Sequence, residues 1–260
     1  MNSKIKALFF DIDGTLVSFQ THRIPDSARK AIGQVRRRGV KVFISTGRLL
    51  RHAKEAVDLE VDGYITVNGG HCTTAQGEQI YVKSFPRELV TRIFALGEKY
   101  GFHSALLTEE DIYVSQIDER VQYIADMINI PPKVADLNSV VEQQAILQVC
   151  PYIEEDIEQK IAPLLPECSP TRWMPLFMDF NMKGTDKAAG AKRVAEYYGL
   201  RMDEVMAFGD GGNDISIVQA AGVGVAMDNA CDALKAVADY VTTSVDEDGV
   251  YNALKHFELI

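Results

Sequence analysis

The two ends of the chain carry short, nearly unbroken apolar runs, and the middle does not. Ala7-Leu8-Phe9-Phe10, Val40-Lys41-Val42-Phe43-Ile44-Ser45, Gly63-Tyr64-Ile65-Thr66-Val67 and Val205-Met206-Ala207-Phe208 have strand length and few polar interruptions. Such runs belong to strands covered on both faces, as in parallel sheets. Helical patterns separate them. One is predicted over residues 27–38, with Asp26 as its N-cap and Gly39 just past its end. Others are predicted over 49–59, over 187–198 with Gly199 closing it, and up to about residue 221. Residues 223–227 and 240–242 read as short final strands. This alternation predicts an α/β fold, a doubly wound, Rossmann-like parallel sheet.

From about Thr73 the rhythm changes. Ile80-Tyr81-Val82 is a short strand, and Pro86 opens a helix that ends near Gly101. Residues 103–108 and 112–115 pattern as a hairpin around Glu109-Glu110-Asp111. Helices are predicted over 119–128 and 154–164, a strand over 145–149, and one or two strands over 172–180. Hairpins mixed with helices indicate an α+β module. The predicted organisation is a core of residues 1–84 and 184–260, interrupted by an inserted α+β cap at 85–183.

Composition narrows the classes of function. At 260 residues and 47% hydrophobic content the chain reads as an ordinary globular protein. No apolar run approaches the ~20 residues that span a bilayer, and Met1-Asn2-Ser3-Lys4 leads straight into the first strand. The four cysteines (Cys72, Cys150, Cys168, Cys231) are scattered without a CxxC. The expectation is a cytoplasmic protein with reduced thiols and no membrane partner. A formal net charge of -10 disfavours nucleic acid. The basic cluster Arg36-Arg37-Arg38 reads as favourable charge at a helix C-terminus. The five histidines show no ligand spacing. A small molecule is the expected partner, and the oligomeric state stays open, a monomer included.

Candidate chemistry collects at strand ends. Asp11 and Asp13, two apart in an extended chain, project from one face. Carboxylates this close repel unless a cation lies between them, and a hard divalent ion such as Mg²⁺ fits best. Taken alone, the pair fits a solvated acidic turn equally well. The second strand ends in Thr46-Gly47-Arg48, which reads either as a helix cap or as an anion site of hydroxyl and backbone N–H groups. Asn68-Gly69-Gly70 follows the third strand, and Gly209-Asp210-Gly211-Gly212-Asn213-Asp214 follows the strand at 205–208. Lys187 opens the helix after the insert. Ligands of open α/β sheets bind outside the carboxyl ends of the strands. That rule gathers Asp11, Asp13, Thr46-Gly47-Arg48, Asp210, Asn213, Asp214 and Lys187, which alone would read as a solvated lysine, into one site for a metal and a phosphate, with Asp11 free to attack; Asn68-Gly69-Gly70 is either a strand end near that site or only a turn. His22 and Arg23 follow the first motif, where a mobile flap could reach substrate, although a surface loop is the simpler reading. Arg172 and Trp173 in the insert could reach a sugar, although a core tryptophan is the simpler reading.

Asp11-Ile12-Asp13-Gly14-Thr15, Thr46-Gly47-Arg48, Lys187 and Gly209-Asp210-Gly211-Gly212-Asn213-Asp214 resemble the four motifs of the haloacid dehalogenase (HAD) superfamily, in its phosphatase branch. The position of the insert resembles the type IIB cap of the Cof-like subfamily. The likeness spans essentially the whole chain. Residues 9–25 and 209–259 are most similar to bacterial hexose-phosphate phosphatases of that subfamily. Ser45 stands where the family often has alanine.

The resemblance implies Mg²⁺-dependent hydrolysis of small phosphorylated metabolites, hexose phosphates foremost, through an aspartyl-phosphate. It implies Asp11 as nucleophile and Asp13 as general acid and base. The metal would be held by the Asp11 carboxylate, the Asp13 carbonyl and Asp210. Thr46, Gly47, Lys187 and Asn213 would hold phosphate oxygens, with Arg48, Asn68 and Gly69 toward the substrate and Asp214 orienting its neighbours from behind. A phosphosugar mutase or phosphotransferase would use the same residues. Signalling receiver domains also carry a phosphorylated aspartate, but on an internal strand of a chain about half this length or smaller.

Overall fold

The computed structural model describes residues 5–128 and 130–260, with the Trp173 side chain outside the description. In chain order the first elements are β1 (Ala7–Phe10), α1 (Asp26–Arg37), β2 (Lys41–Ser45), α2 (Leu50–Ala56), β3 (Gly63–Thr66), β4 (His71–Thr74) and β5 (Gln79–Val82). Then come α3 (Arg87–Tyr100), β6 (Ser104–Leu107), β7 (Ile112–Val114), α4 (Glu119–Ile128), β8 (Lys133–Val134), α5 (Leu137–Gln143), β9 (Gln148–Pro151), α6 (Glu155–Ile161), β10 (Cys168–Met174) and β11 (Phe177–Met182). The last are α7 (Lys187–Tyr197), β12 (Val205–Gly209), α8 (Ile215–Ala220), β13 (Val223–Ala226), α9 (Asp232–Lys235), β14 (Tyr240–Val241) and α10 (Gly249–His256). Two compact units result: residues up to Tyr81 with Asp186–Ile260, and Val82–Thr185.

The first unit is built on an eight-stranded sheet in the order β14-β13-β12-β1-β2-β3-β4-β5. Strands β14 to β3 pair in parallel. Successive residues of one strand face opposite layers, and the core divides accordingly. Leu8, Phe10, Val42 and Ile44 join Ile32 and Val35 of α1 and Leu254 of α10 on one side. Ala7, Phe9, Phe43 and Ile65 join Ala191 and Val194 of α7 on the other. Burial on both faces explains why these strands read as continuous apolar runs. It also leaves their carboxyl ends as the place where polar side chains emerge.

The parallel core is as expected, and β4, a strand the sequence reading did not include, runs antiparallel to β3. Only the turn at residues 67–70 joins them, too short for the crossover a parallel partner needs. Several expectations are corrected. Pro25, not Asp26, is the N-cap of α1, and Asp26 sits in the first turn, where its charge still complements the dipole. Gly39 does take the left-handed conformation past the helix end, with φ +84. α2 stops at Ala56 because Val57 is extended.

The second unit is a six-stranded sheet, order β10-β11-β9-β6-β7-β8, antiparallel except for the β7–β8 pair. Apolar residues of α3, α5 and α6 cover one face of it, against Leu106, Val149, Met178 and Phe180. β9 begins three residues later and ends two residues later than the predicted 145–149: Leu106 pairs with Val149, while Ile146 makes only an isolated bridge to Phe85. α5 was not predicted; the Asp136 side chain caps it by accepting the Asn138 N–H. Arg172 is committed within this unit. Its Nε donates to Glu158, and Nη1 donates to the carbonyls of Ile153, Met174 and Pro175, so it does not reach for a sugar. None of the four cysteines is in a disulfide. Among the described residues no helix is long and apolar enough to cross a membrane.

Candidate active site

The carboxyl ends of β1, β2, β3 and β12 and the start of α7 bring the singled-out residues together. At the centre is Lys187, fully buried at the first position of α7. Its Nζ lies 2.6 Å from Asp11 Oδ1 and 2.6 Å from Asp214 Oδ1. Burial alone would lower the lysine, but Asp11 and Asp214 more than offset it and hold the ammonium above its usual range. Burial pushes the Asp11 carboxyl well up; Lys187 opposes this, while Asp214, Asp210 and Asp13 add to it. Asp214 is a strut. Besides pairing with Lys187, its Oδ2 accepts the backbone N–H of Asp210 at 3.1 Å and of Gly211 at 2.9 Å, which fixes the turn after β12.

Asp210 completes a group of three carboxylates with Asp11 and Asp214, one oxygen of each lying within 4.8 Å of the others. Burial, with Asp214 adding, pushes the Asp210 carboxyl up to about 7, against the Thr15 hydrogen bond and Lys187. Three carboxyl groups thus face a single ammonium. That excess and the all-oxygen donor set fit a hard divalent cation. Because Asp214 is tied to Lys187 and to the turn, Asp11 and Asp210 are the carboxylates that could hold it.

Asp13 sits differently. Arg48 grips it with both arms of its guanidinium, Nε to Oδ2 at 2.8 Å and Nη2 to Oδ1 at 2.7 Å. Arg48 is therefore paired with a neighbouring carboxylate. Thr46 is buried, and its Oγ1 accepts the Arg48 N–H at 3.2 Å. Asn213 donates from Nδ2 to Asn68 Oδ1 at 3.0 Å, and a Cβ on Gly47 would stand 3.3 Å from that same oxygen. Gly69, at φ +93, lies against the Asp186 backbone, where no side chain fits. It lets the β3 turn meet the start of α7.

Two participants had no assigned role in the sequence reading. Thr15 donates from Oγ1 to Asp210 Oδ1 at 2.9 Å. Asn229 donates to the Gly14 carbonyl at 2.8 Å and approaches Asp210 Oδ2 at 3.4 Å. Thr15 stood inside the first motif and could have been flagged; Asn229 follows β13 with no motif around it.

Residues 8–254 match the family of haloacid dehalogenase-like hydrolases. The chain belongs to that family. The solved structure of BT1666 from Bacteroides thetaiotaomicron, a phosphatase of the HAD superfamily, is similar to this HAD chain with a TM-score of 0.91 and 42% identity, over 98% of this chain and 96% of that one. BT4131, a HAD subclass IIB sugar phosphatase, gives 0.87 and 40% over 98% and 100%. The Bacillus subtilis (strain 168) protein YcsE, a 5-amino-6-(5-phospho-D-ribitylamino)uracil phosphatase, is 30% identical over 98% of this chain and 96% of its own length. The HAD chain is thus an enzyme of the phosphatase type. The family uses a divalent metal, and the acidic cluster fits one.

Proposed function

We propose that this HAD enzyme is a Mg²⁺-dependent phosphomonoester hydrolase for small sugar phosphates, hexose phosphates foremost, and that it works through an aspartyl-phosphate on Asp11. The observation that carries the reading is the buried Lys187, whose Nζ is 2.6 Å from both Asp11 and Asp214 beside the Asp210 carboxylate. A lysine locked in this way orients Asp11 by one oxygen and leaves the other, Oδ2, to attack phosphorus in line. Bound Mg²⁺, held by Asp11, Asp210 and the Asp13 carbonyl, would neutralise phosphoryl charge. Thr46, Gly47 and Asn213 would hold phosphate oxygens beside Lys187.

Asp13 serves as general acid, then base. The Arg48 fork fixes the position of both of its carboxyl oxygens, one of which takes the proton from the attacking water. The residues given to phosphate and metal all lie in the unit that holds Asp11. The unit Val82–Thr185 is therefore assigned a part in choosing the leaving group, alongside residues of the first unit that border the site. The sugar phosphatase BT4131 and the ribityl-phosphate phosphatase YcsE both support a polyhydroxylated leaving group.

The test is a panel of sugar phosphates incubated with enzyme and Mg²⁺, reading free phosphate and the sugar products. Phosphate release from several hexose phosphates is the expected result. Isomerised sugar phosphate without free phosphate would make the enzyme a mutase, and no turnover on any member would remove the sugar-phosphate reading.

A further inference from the structure

Phe19 is 61% exposed, in the loop that leaves the first motif. The three residues before it, Leu16, Val17 and Ser18, are buried, so the chain turns outward at Phe19 itself. The loop is a built one. Ser18 N–H donates to the Arg23 carbonyl at 3.1 Å, and the Ser18 carbonyl accepts the His22 N–H at 2.9 Å. Ser18 Oγ accepts the N–H groups of Gln20 at 3.0 Å and Thr21 at 3.1 Å. His22 closes the turn at φ +52. The ring is not remote from the chemistry. A Cβ on Gly14 would stand 2.8 Å from Phe19 Cε2 and 2.8 Å from Asp210 Cγ. Ring and carboxylate thus flank the same α-carbon.

An apolar ring held in water beside a cluster of charged groups gives up hydrophobic stabilisation that burial would supply. The geometry points to Phe19 as a specificity-determining residue: its face receives the C–H face of a ring-shaped leaving group while the phosphoryl end lies at Asp11. The ligand class is a cyclic phosphomonoester, a pyranose or aryl phosphate, in preference to an open-chain polyol phosphate. Phenylalanine has no hydrogen-bonding group, so it selects for a ring and not for a pattern of hydroxyls. This inference rests on the phosphatase reading above.

The test compares the wild type with Phe19→Ala, Phe19→Leu and Phe19→Trp. Substrates are glucose 6-phosphate and phenyl phosphate, which are cyclic, and glycerol 3-phosphate, which is not. Phe19→Ala should lower kcat/KM on the ring substrates by about 2- to 10-fold, the worth of one aromatic face, with a smaller loss on glycerol 3-phosphate. Phe19→Trp should restore the ring preference and Phe19→Leu should not. Equal losses on ring and open-chain substrates, or none on either, would overturn it. Calorimetry with phenylphosphonate and methylphosphonate measures the contact without turnover. The wild type should favour the phenyl compound and Phe19→Ala should not; equal binding by the wild type refutes the contact. Ring-selective binding without any phosphate release would instead sink the hydrolase reading while leaving the contact standing.

Discussion

Replacing Lys187 by methionine keeps most of its volume and deletes its charge. The ammonium is fully buried and sits 2.6 Å from two carboxylates. Removing one partner of such a buried set leaves uncompensated charge in a poor solvent, which costs about 3–5 kcal/mol. For a protein of this size each kcal/mol moves Tm by roughly 2–4 °C, so the variant should melt about 6–20 °C lower. The loss has a definite pH dependence. Burial already raises the folded-state Asp11 carboxyl, and Lys187 is what opposes that rise. An acid whose folded pKa lies above its unfolded one destabilises the fold as pH rises through the folded value, and that penalty disappears as pH falls. Lys187→Met should therefore be more destabilised at pH 8 than at pH 5.5. Urea unfolding at both pH values, followed by circular dichroism, measures this. A variant within about 1 kcal/mol of wild type at pH 8, with no change at pH 5.5, would mean that Lys187 does not hold the site together.

The other expectations concern the metal and Asp13. EDTA should abolish turnover and Mg²⁺ restore it, with Ca²⁺ a poor substitute because it prefers more ligands in looser geometry. Asp210 is pushed up to about 7, so protons compete with the metal below neutrality, and the gain in Tm on adding Mg²⁺ should be larger at pH 8 than at pH 5.5. A pH-independent gain would count against Asp210 as a ligand. Asp13→Asn should cut sugar-phosphate turnover by about 10²–10⁴-fold, the usual worth of acid–base help. With 4-nitrophenyl phosphate, whose leaving group needs no proton, the variant should release a burst of nitrophenol and then turn over slowly. Equal losses on both substrates without a burst would take Asp13 out of proton transfer.

How far the sequence could be read depended on the range of the forces involved. The runs that became β1, β2, β3 and β12 were legible because both faces of each are buried and every position must be apolar. The polar residues at their ends were legible as a group because a parallel sheet points those ends the same way. Elements set by local geometry were not. β4 had to turn back because its connection was short, and β9 slid to the register in which Val149 meets Leu106. α5 hides behind Pro131-Pro132, a stretch that reads as loop. Within the site, side-chain partners chosen across long separations stayed invisible: Arg48 on Asp13, Asn213 on Asn68, and Thr15 on Asp210 across 195 residues. Spacing identifies which residues meet at a strand end, but packing decides which of their atoms pair.

The proposed attack of Asp11 on phosphorus leaves the phosphoryl group on that carboxylate. It is tested most directly by mixing enzyme and substrate rapidly, quenching in acid within one turnover, and mapping covalent phosphate by mass spectrometry. Phosphate is expected on Asp11 alone, accumulating in Asp13→Asn with 4-nitrophenyl phosphate and absent from a folded, inactive Asp11→Asn. Normal turnover by Asp11→Asn, or covalent phosphate on another residue, would contradict it.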